Sequence, residues 1–168
     1  ILENFISEKL EGYSKFRNNP ELEYQSNLSP YLHFGNISPL FVAKEISKSE
    51  KNRESLEEFL EELIVRRELA INFIYYNQDY DKFHSMTYLW AYETMDKHKN
   101  DQKEYVYSLE ILEKSETHDE YWNSAQKEMM VTGKMHGYMR MYWAKKIIEW
   151  SEKFEEAYEI IKYLNNKY

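Results

Sequence analysis

The sequence has no cysteine, which removes disulfides, thiolate metal sites, iron–sulfur clusters and cysteine nucleophiles together. A reducing compartment accommodates such a chain. Only 4 glycines and 3 prolines occur in 168 residues. A sandwich or barrel of many short strands therefore has too few places to turn, and a mostly helical fold is expected. No apolar run approaches the roughly 18 to 20 residues that cross a bilayer. The N-terminus has no signal-peptide pattern, so the expectation is a soluble, cytoplasmic protein without a membrane partner. Basic charge is also short, with 30 acidic residues against 22 basic ones and a net charge of −8. Spread evenly, that charge would repel a polyanion, although a sum says nothing about one face.

What is abundant is aromatic. Sixteen Tyr, 8 Phe and 4 Trp make up 17% of the chain, far more large apolar anchors than a disordered segment carries. The length suits one domain with a sizeable core.

Apolar residues Phe5, Ile6, Leu10, Tyr13 and Phe16 recur at spacings near 3.6 and predict a helix over 2–16, stopped by Asn18, Asn19 and Pro20. Ser29-Pro30 and Ser38-Pro39 read as two helix starts, each with Ser as cap, separated by a turn at Gly35. Phe59, Leu60, Leu63, Ile64, Ala70, Ile71 and Ile74 share one face of a long central helix. Residues 77–117 are the least regular, with one short helix near 107–115. Thr117 and Glu120 form a capping box for a helix that Gly133 ends. A helix over 135–150 and a last one capped by Ser151 complete the pattern.

Several constellations admit two readings. Trp143 and Trp150 share a face with Arg140 and Ile147, and Trp122 lies on the preceding helix. The set reads as core packing or as an aromatic chain relaying an electron to a buried redox cofactor, and spacing does not separate the two. Glu62 and Arg66 stand one turn apart in an apolar helix, as a salt-bridged flank or as a carboxylate on a pocket wall. Five histidines show no metal-ligand spacing, so no metal is expected. Phosphate-loop, dinucleotide and hydrolase-elbow motifs are missing, which leaves the Ser-Pro helix starts as the anion-binding candidates.

Four stretches, SNLSPYLHFGNIS at 26–38, EELIVRRELA at 61–70, THDEYWNSAQ at 117–126 and GKMHGYMRMYWAKK at 133–146, closely resemble the FAD-binding helical domain of class II DNA photolyases. The resemblance runs in order over nearly the whole chain. It implies an all-α, multi-helix FAD-binding domain of the photolyase/cryptochrome type over 1–168. It further implies that the domain is incomplete at the C-terminus and lacks the N-terminal antenna α/β domain. A partner chain or dimer completing the site is left open by the sequence.

By the same resemblance, Ser26, Asn27, Leu28 and Ser29 hold the FAD phosphates, and Tyr13 and Arg17 lie near the flavin. Arg140 faces the isoalloxazine, Asn165 faces its N5, Glu62 hydrogen-bonds a flipped-out cyclobutane pyrimidine dimer and Met141 packs against that lesion. Trp143, Trp122 and Trp150 match the aromatic chain that photoreduces FAD. The implied activity is light-driven repair of damaged DNA containing pyrimidine dimers. A non-catalytic binding module of the same descent, or a cryptochrome-like photoreceptor, remain alternatives. For DNA to bind, Arg17, Lys127 and Lys134 are expected at the pocket mouth, with the acid-rich stretches 54–62 and 152–159 elsewhere.

Overall fold

The computed structural model describes residues 1–168 and is helical, without a strand. The chain divides into two compact units, Ile1–Gln78 and Asp79–Tyr168.

In the first unit, helix α1 covers residues 2–16 but is not a regular α-helix. An α-turn at Leu2–Asn4 leads into a π-turn at Phe5–Lys9, a 3-10 turn at Leu10–Gly12 and an α-turn at Tyr13–Phe16. The buried residues explain this. Phe5, Leu10 and Tyr13 are the buried apolar side chains, spaced five and then three apart rather than at the 3.6 read from sequence. The Leu10 N–H bonds to the Phe5 carbonyl and the Tyr13 N–H to the Leu10 carbonyl. A wide turn followed by a tight one thus puts all three on one face. The Phe5 ring meets Tyr13 and Phe59 at centroid distances of 5.6 and 5.0 Å.

Both Ser-Pro pairs open helices, α2 at Ser29–His33 and α3 at Pro39–Lys48, with Gly35 between them at φ 69°. Only one serine caps. Ser38 Oγ accepts from the Phe41 N–H at 3.5 Å, whereas Ser29 is already helical and makes no side-chain cap.

Helix α4 spans residues 53–76 as Arg53–Leu60 (α), Glu61–Arg66 (π) and Arg67–Tyr76 (α). Asn52 caps it by accepting the Ser55 N–H at 3.1 Å. Buried Ser55 ties this helix to α1, its Oγ accepting the Ser14 N–H at 3.1 Å. The expected central apolar face is only half realised. Phe59 and Leu63 are buried, but Ile64, Leu69, Ile71, Phe73, Ile74, Tyr75 and Tyr76 are exposed, and Arg67–Tyr76 buries nothing. Burial needs a partner surface, and no element of the first unit covers that half of the helix.

The second unit holds α5 (Leu89–His98), α6 (Leu109–Glu113), α7 (Glu120–Thr132), α8 (Gly137–Trp150) and α9 (Phe154–Lys167), with a 3-10 turn at Phe83–Ser85. Helix α5 has no buried residue, and its apolar Ala91, Tyr92 and Met95 are only half-buried. Helix α7 is capped by Asp119, whose Oδ1 accepts the Trp122 N–H at 2.9 Å. The expected cap, Thr117, instead bonds Asn123 Oδ1 at 2.8 Å. Gly133 ends α7 at φ 68°, a conformation glycine adopts without strain. Ser151 is likewise not a cap: its buried Oγ donates to the Ile147 carbonyl at 2.7 Å, and α9 begins after Lys153.

The core of this unit is built from helical stripes. Trp143, Ile147 and Trp150 of α8 meet Trp122, Ala125, Gln126 and Met129 of α7 and Ala157, Ile160 and Leu164 of α9.

The α1 register makes a direct test possible. Deleting Glu8 shortens the Phe5–Leu10 spacing to four, which an ordinary α-turn serves, so the loss in urea-unfolding stability is expected to stay under about 1 kcal/mol. Deleting Glu11 leaves Leu10 and Tyr13 two apart, a spacing no helix puts on one face. Unfolding of the first unit at lower urea is expected for that variant.

Candidate functional site

Each unit gathers part of the candidate set. In the first, Tyr13, Arg17 and Glu62 converge. Arg17 Nη1 donates to Glu62 Oε1 at 3.0 Å and to the Tyr13 hydroxyl at 3.4 Å, with its guanidinium carbon 5.4 Å from the Tyr13 ring centroid. Arg17 Nε stands 3.0 Å from Glu58 Oε2, an ion pair too poorly aligned to count as a hydrogen bond. Burial pushes the Tyr13 hydroxyl above its ordinary pKa, and the Arg17 hydrogen bond pulls against it. Glu62 lies in the π-turn of α4 and is half-exposed. Arg17 takes one of its oxygens and leaves Oε2 without a partner. The partner of Glu62 is therefore Arg17, not Arg66, which pairs with Glu61 at 3.3 Å.

The electrostatic expectation fails at Arg17. The 54–62 stretch does not keep its acid elsewhere: Glu58 and Glu62 belong to it and neutralise Arg17, which offers a polyanion no free charge. Lys127 is exposed on α7.

Ser26–Ser29 precedes and opens α2. Asn27 adopts φ 57°, and Ser26 Oγ accepts the Leu28 N–H at 3.4 Å. Leu28 is buried in the same apolar cluster as Tyr13, and its N–H and carbonyl are already taken by Ser26 Oγ and the Leu32 N–H. The Ser29 hydroxyl is on an exposed residue.

In the second unit, Arg140 Nη1 donates to Asn165 Oδ1 at 2.5 Å, which joins α8 to α9. Arg140 and Met141 are exposed. Arg140 therefore does not share the buried face of Trp143, Ile147 and Trp150, as its position three residues before Trp143 suggested. Its charge goes outward, where it stays solvated.

The three tryptophans form a continuous buried string. Trp143 and Trp122 stack with centroids 6.3 Å apart and planes 7° from parallel, and Trp122 meets Trp150 edge-on at 5.6 Å. All three are at most 1% exposed. The string continues outward: Trp150 contacts the rings of Tyr107 and His118, each at 5.3 Å, and exposed Tyr105 stacks on His118 at 3.9 Å. Trp90, the fourth tryptophan, is exposed on α5 and takes no part.

Sequence reasoning missed Gln126. It is fully buried between these helices, and its Oε1 accepts the Trp143 indole N–H at 2.8 Å. A signal existed, since Gln126 falls four residues after Trp122 on an otherwise apolar stripe. Also missed was the Tyr142 hydroxyl, which donates to Asp119 Oδ2 in a very short contact. Burial raises the Asp119 pKa, but the bonds from Tyr142 and the Trp122 N–H outweigh it and leave the carboxyl below its ordinary value. Burial and Asp119 together push Tyr142 up to about 12.

No protein-family model matches the chain. Individual proteins do. It is 51% identical to the deoxyribodipyrimidine photo-lyase of Methanothermobacter thermautotrophicus over 168 residues, covering 100% of this chain and 37% of that protein. Identity to the deoxyribodipyrimidine photo-lyase of Potorous tridactylus is 46% over 172 residues, covering 100% of this chain and 32% of the relative. To that of Arabidopsis thaliana it is 49% over 168 residues, covering 99% and 34%. Along its whole length the chain is thus similar to one part of these deoxyribodipyrimidine photo-lyases. The chain spans about a third of the length of the relatives it matches.

The Tyr142–Asp119 bond carries a pH signature. The folded chain keeps the Tyr142 proton to about pH 12, whereas the ordinary tyrosine value is 10.0. Its contribution to stability is complete below about pH 10 and is lost as the pH rises toward 12. Tyr142→Phe is expected to lack this component, so its urea midpoint falls less steeply than that of the parent chain across that interval.

Proposed function

We propose that this chain is the helical, flavin-binding part of a class II photolyase that repairs cyclobutane pyrimidine dimers in DNA by light-driven electron transfer. The observation that carries the reading is the buried Trp143–Trp122–Trp150 string, whose ring centroids lie 6.3 and 5.6 Å apart, close enough for electron hopping. The similarity along the whole chain and the names of the relatives support it.

The donor chemistry of the chain fits FAD. In the first unit, the Ser26 and Ser29 hydroxyls and the left-handed Asn27 backbone suit phosphate oxygens. In the second, the Arg140–Asn165 pair presents a guanidinium and an amide to the heteroatoms of an isoalloxazine. When bound, the flavin supplies photoexcited one-electron chemistry. Arg140 places a fixed positive charge that favours an anionic reduced ring, and Asn165 is oriented for that contact by its hydrogen bond. Trp143, Trp122 and Trp150 deliver electrons inward from the surface. Glu62, aimed by Arg17 through Oε1, keeps Oε2 free to accept a hydrogen bond from the N–H of an extruded pyrimidine. In the second unit, Met141 is exposed and apolar, a side chain suited to a soft contact with a pyrimidine ring.

Purified chain mixed with reduced FAD and freed of excess ligand is expected to keep the flavin absorption, with weaker retention in Arg140→Ala. Illumination with a thymine-dimer oligonucleotide is expected to restore the thymines, and Glu62→Ala to lower that yield at least about tenfold, the loss of a charged hydrogen bond. Absence of flavin uptake refutes the cofactor assignment. Uptake with equal repair in Glu62→Ala refutes the role of Glu62.

A further inference from the structure

The tryptophan string poses a chemical problem beyond distance. Loss of one electron makes an indole N–H a far stronger acid, comparable to a carboxylic acid, and a base at the nitrogen would take the proton. The resulting neutral radical is a trap, because the returning electron then needs a proton as well. What each indole N–H faces therefore decides whether the string conducts.

Trp143 Nε1–H meets Gln126 Oε1 at 2.8 Å, and Trp122 Nε1–H meets the backbone carbonyl of Trp143 at 3.0 Å. Trp150 Nε1 is buried with no partner. An amide oxygen and a peptide oxygen accept hydrogen bonds but do not accept protons at neutral pH. The orientation of Gln126 is not arbitrary. An indole only donates, so the oxygen must face it, and the amide nitrogen is left buried and unpartnered. An apolar residue at 126 would strand the Trp143 N–H, and a carboxylate would take its proton. An amide satisfies the N–H and refuses the proton, which accounts for tolerating one orphan nitrogen in the core.

We propose that Gln126 is a positioning residue of the electron relay: it holds the Trp143 N–H on a non-basic acceptor, so that a hole on Trp143 keeps its proton and passes to Trp122 and Trp150. The inference rests on the relay reading above. One electron would leave Trp143 for a one-electron oxidant, a photoexcited flavin in that reading, one passes from Trp122 to Trp143 and one from Trp150 to Trp122, so that the hole rests on Trp150 and no proton moves in these steps. The titratable groups nearby lie off the three indole nitrogens. Lys146 Nζ stands 5.5 Å from the Trp150 ring centroid, and His118 Nδ1 is taken by the Tyr107 hydroxyl at 2.7 Å. Asp119 is taken by Tyr142 and the Trp122 backbone N–H.

Flash photoionisation of tryptophan by ultraviolet light, with the electron lost to water, tests this without any flavin. The background is Trp90→Phe, which removes the exposed tryptophan. Time-resolved absorption is expected to show a tryptophan radical that stays protonated, with a spectrum and lifetime unchanged between about pH 6 and 9 and in D2O. Gln126→Glu is expected to lose that cation in favour of the neutral radical. The loss grows as the pH rises through the pKa of the introduced carboxyl, which burial raises. Gln126→Met, without an acceptor or a base, is expected to keep the cation. A neutral radical in the parent chain overturns the proposal, as does a folded Gln126→Glu chain that behaves like the parent. The parent measurement decides even if Gln126→Glu does not fold. Failure of flavin uptake refutes the cofactor reading and leaves this outcome untouched.

Discussion

Burying three tryptophans means burying three indole N–H groups, and the second unit is organised around that requirement. Each ring brings a large apolar area, and removing one from such a core typically costs about 3–5 kcal/mol. Each nitrogen, however, must find an acceptor or be left bare. Two solutions are reciprocal. Trp122 of α7 donates to the Trp143 carbonyl of α8, and Trp143 of α8 donates to Gln126 of α7. The pair fixes the register of one helix on the other while the rings stack. One arrangement therefore serves both packing and the proposed electron path, and the two readings of a tryptophan-rich helix pair do not compete.

The first unit solves a different problem by local distortion. Its buried residues are spaced five and three apart in α1, and Glu62 sits in a second π-turn in α4. Irregular turns of this kind re-aim side chains. The Tyr13–Arg17–Glu62 cluster joins one residue set in register by the α1 irregularity to one presented by the α4 irregularity. Charge follows the same local logic. Arg17 is matched by Glu58 and Glu62, so the cluster is polar and directional rather than a basic patch.

Much of this was legible in sequence wherever a pattern has a single physical solution. The 143–147–150 stripe, the glycine stop at 133 and the helical class follow from spacing and composition. Choices between near-equal alternatives were not legible. Thr117 and Asp119 both suit a cap, and Asp119 wins because its other oxygen also takes the Tyr142 hydroxyl. Ser151 does not cap α9 because its hydroxyl is turned back to the Ile147 carbonyl at the end of α8. The apolar face of α4 read correctly as apolar and wrongly as buried, since a periodicity does not say which polypeptide covers it. Site roles came from the resemblance, not from spacing. Arg140 shows the difference: its helical position suggested the core, and its hydrogen bond to Asn165 holds it outside.

The central claim is that the tryptophan string feeds a flavin. The most direct measurement is anaerobic illumination of the FAD-loaded chain with an external reductant, following the visible flavin band. The account predicts bleaching in the parent chain and a retained band in Trp143→Phe. Equal bleaching in both chains would contradict it.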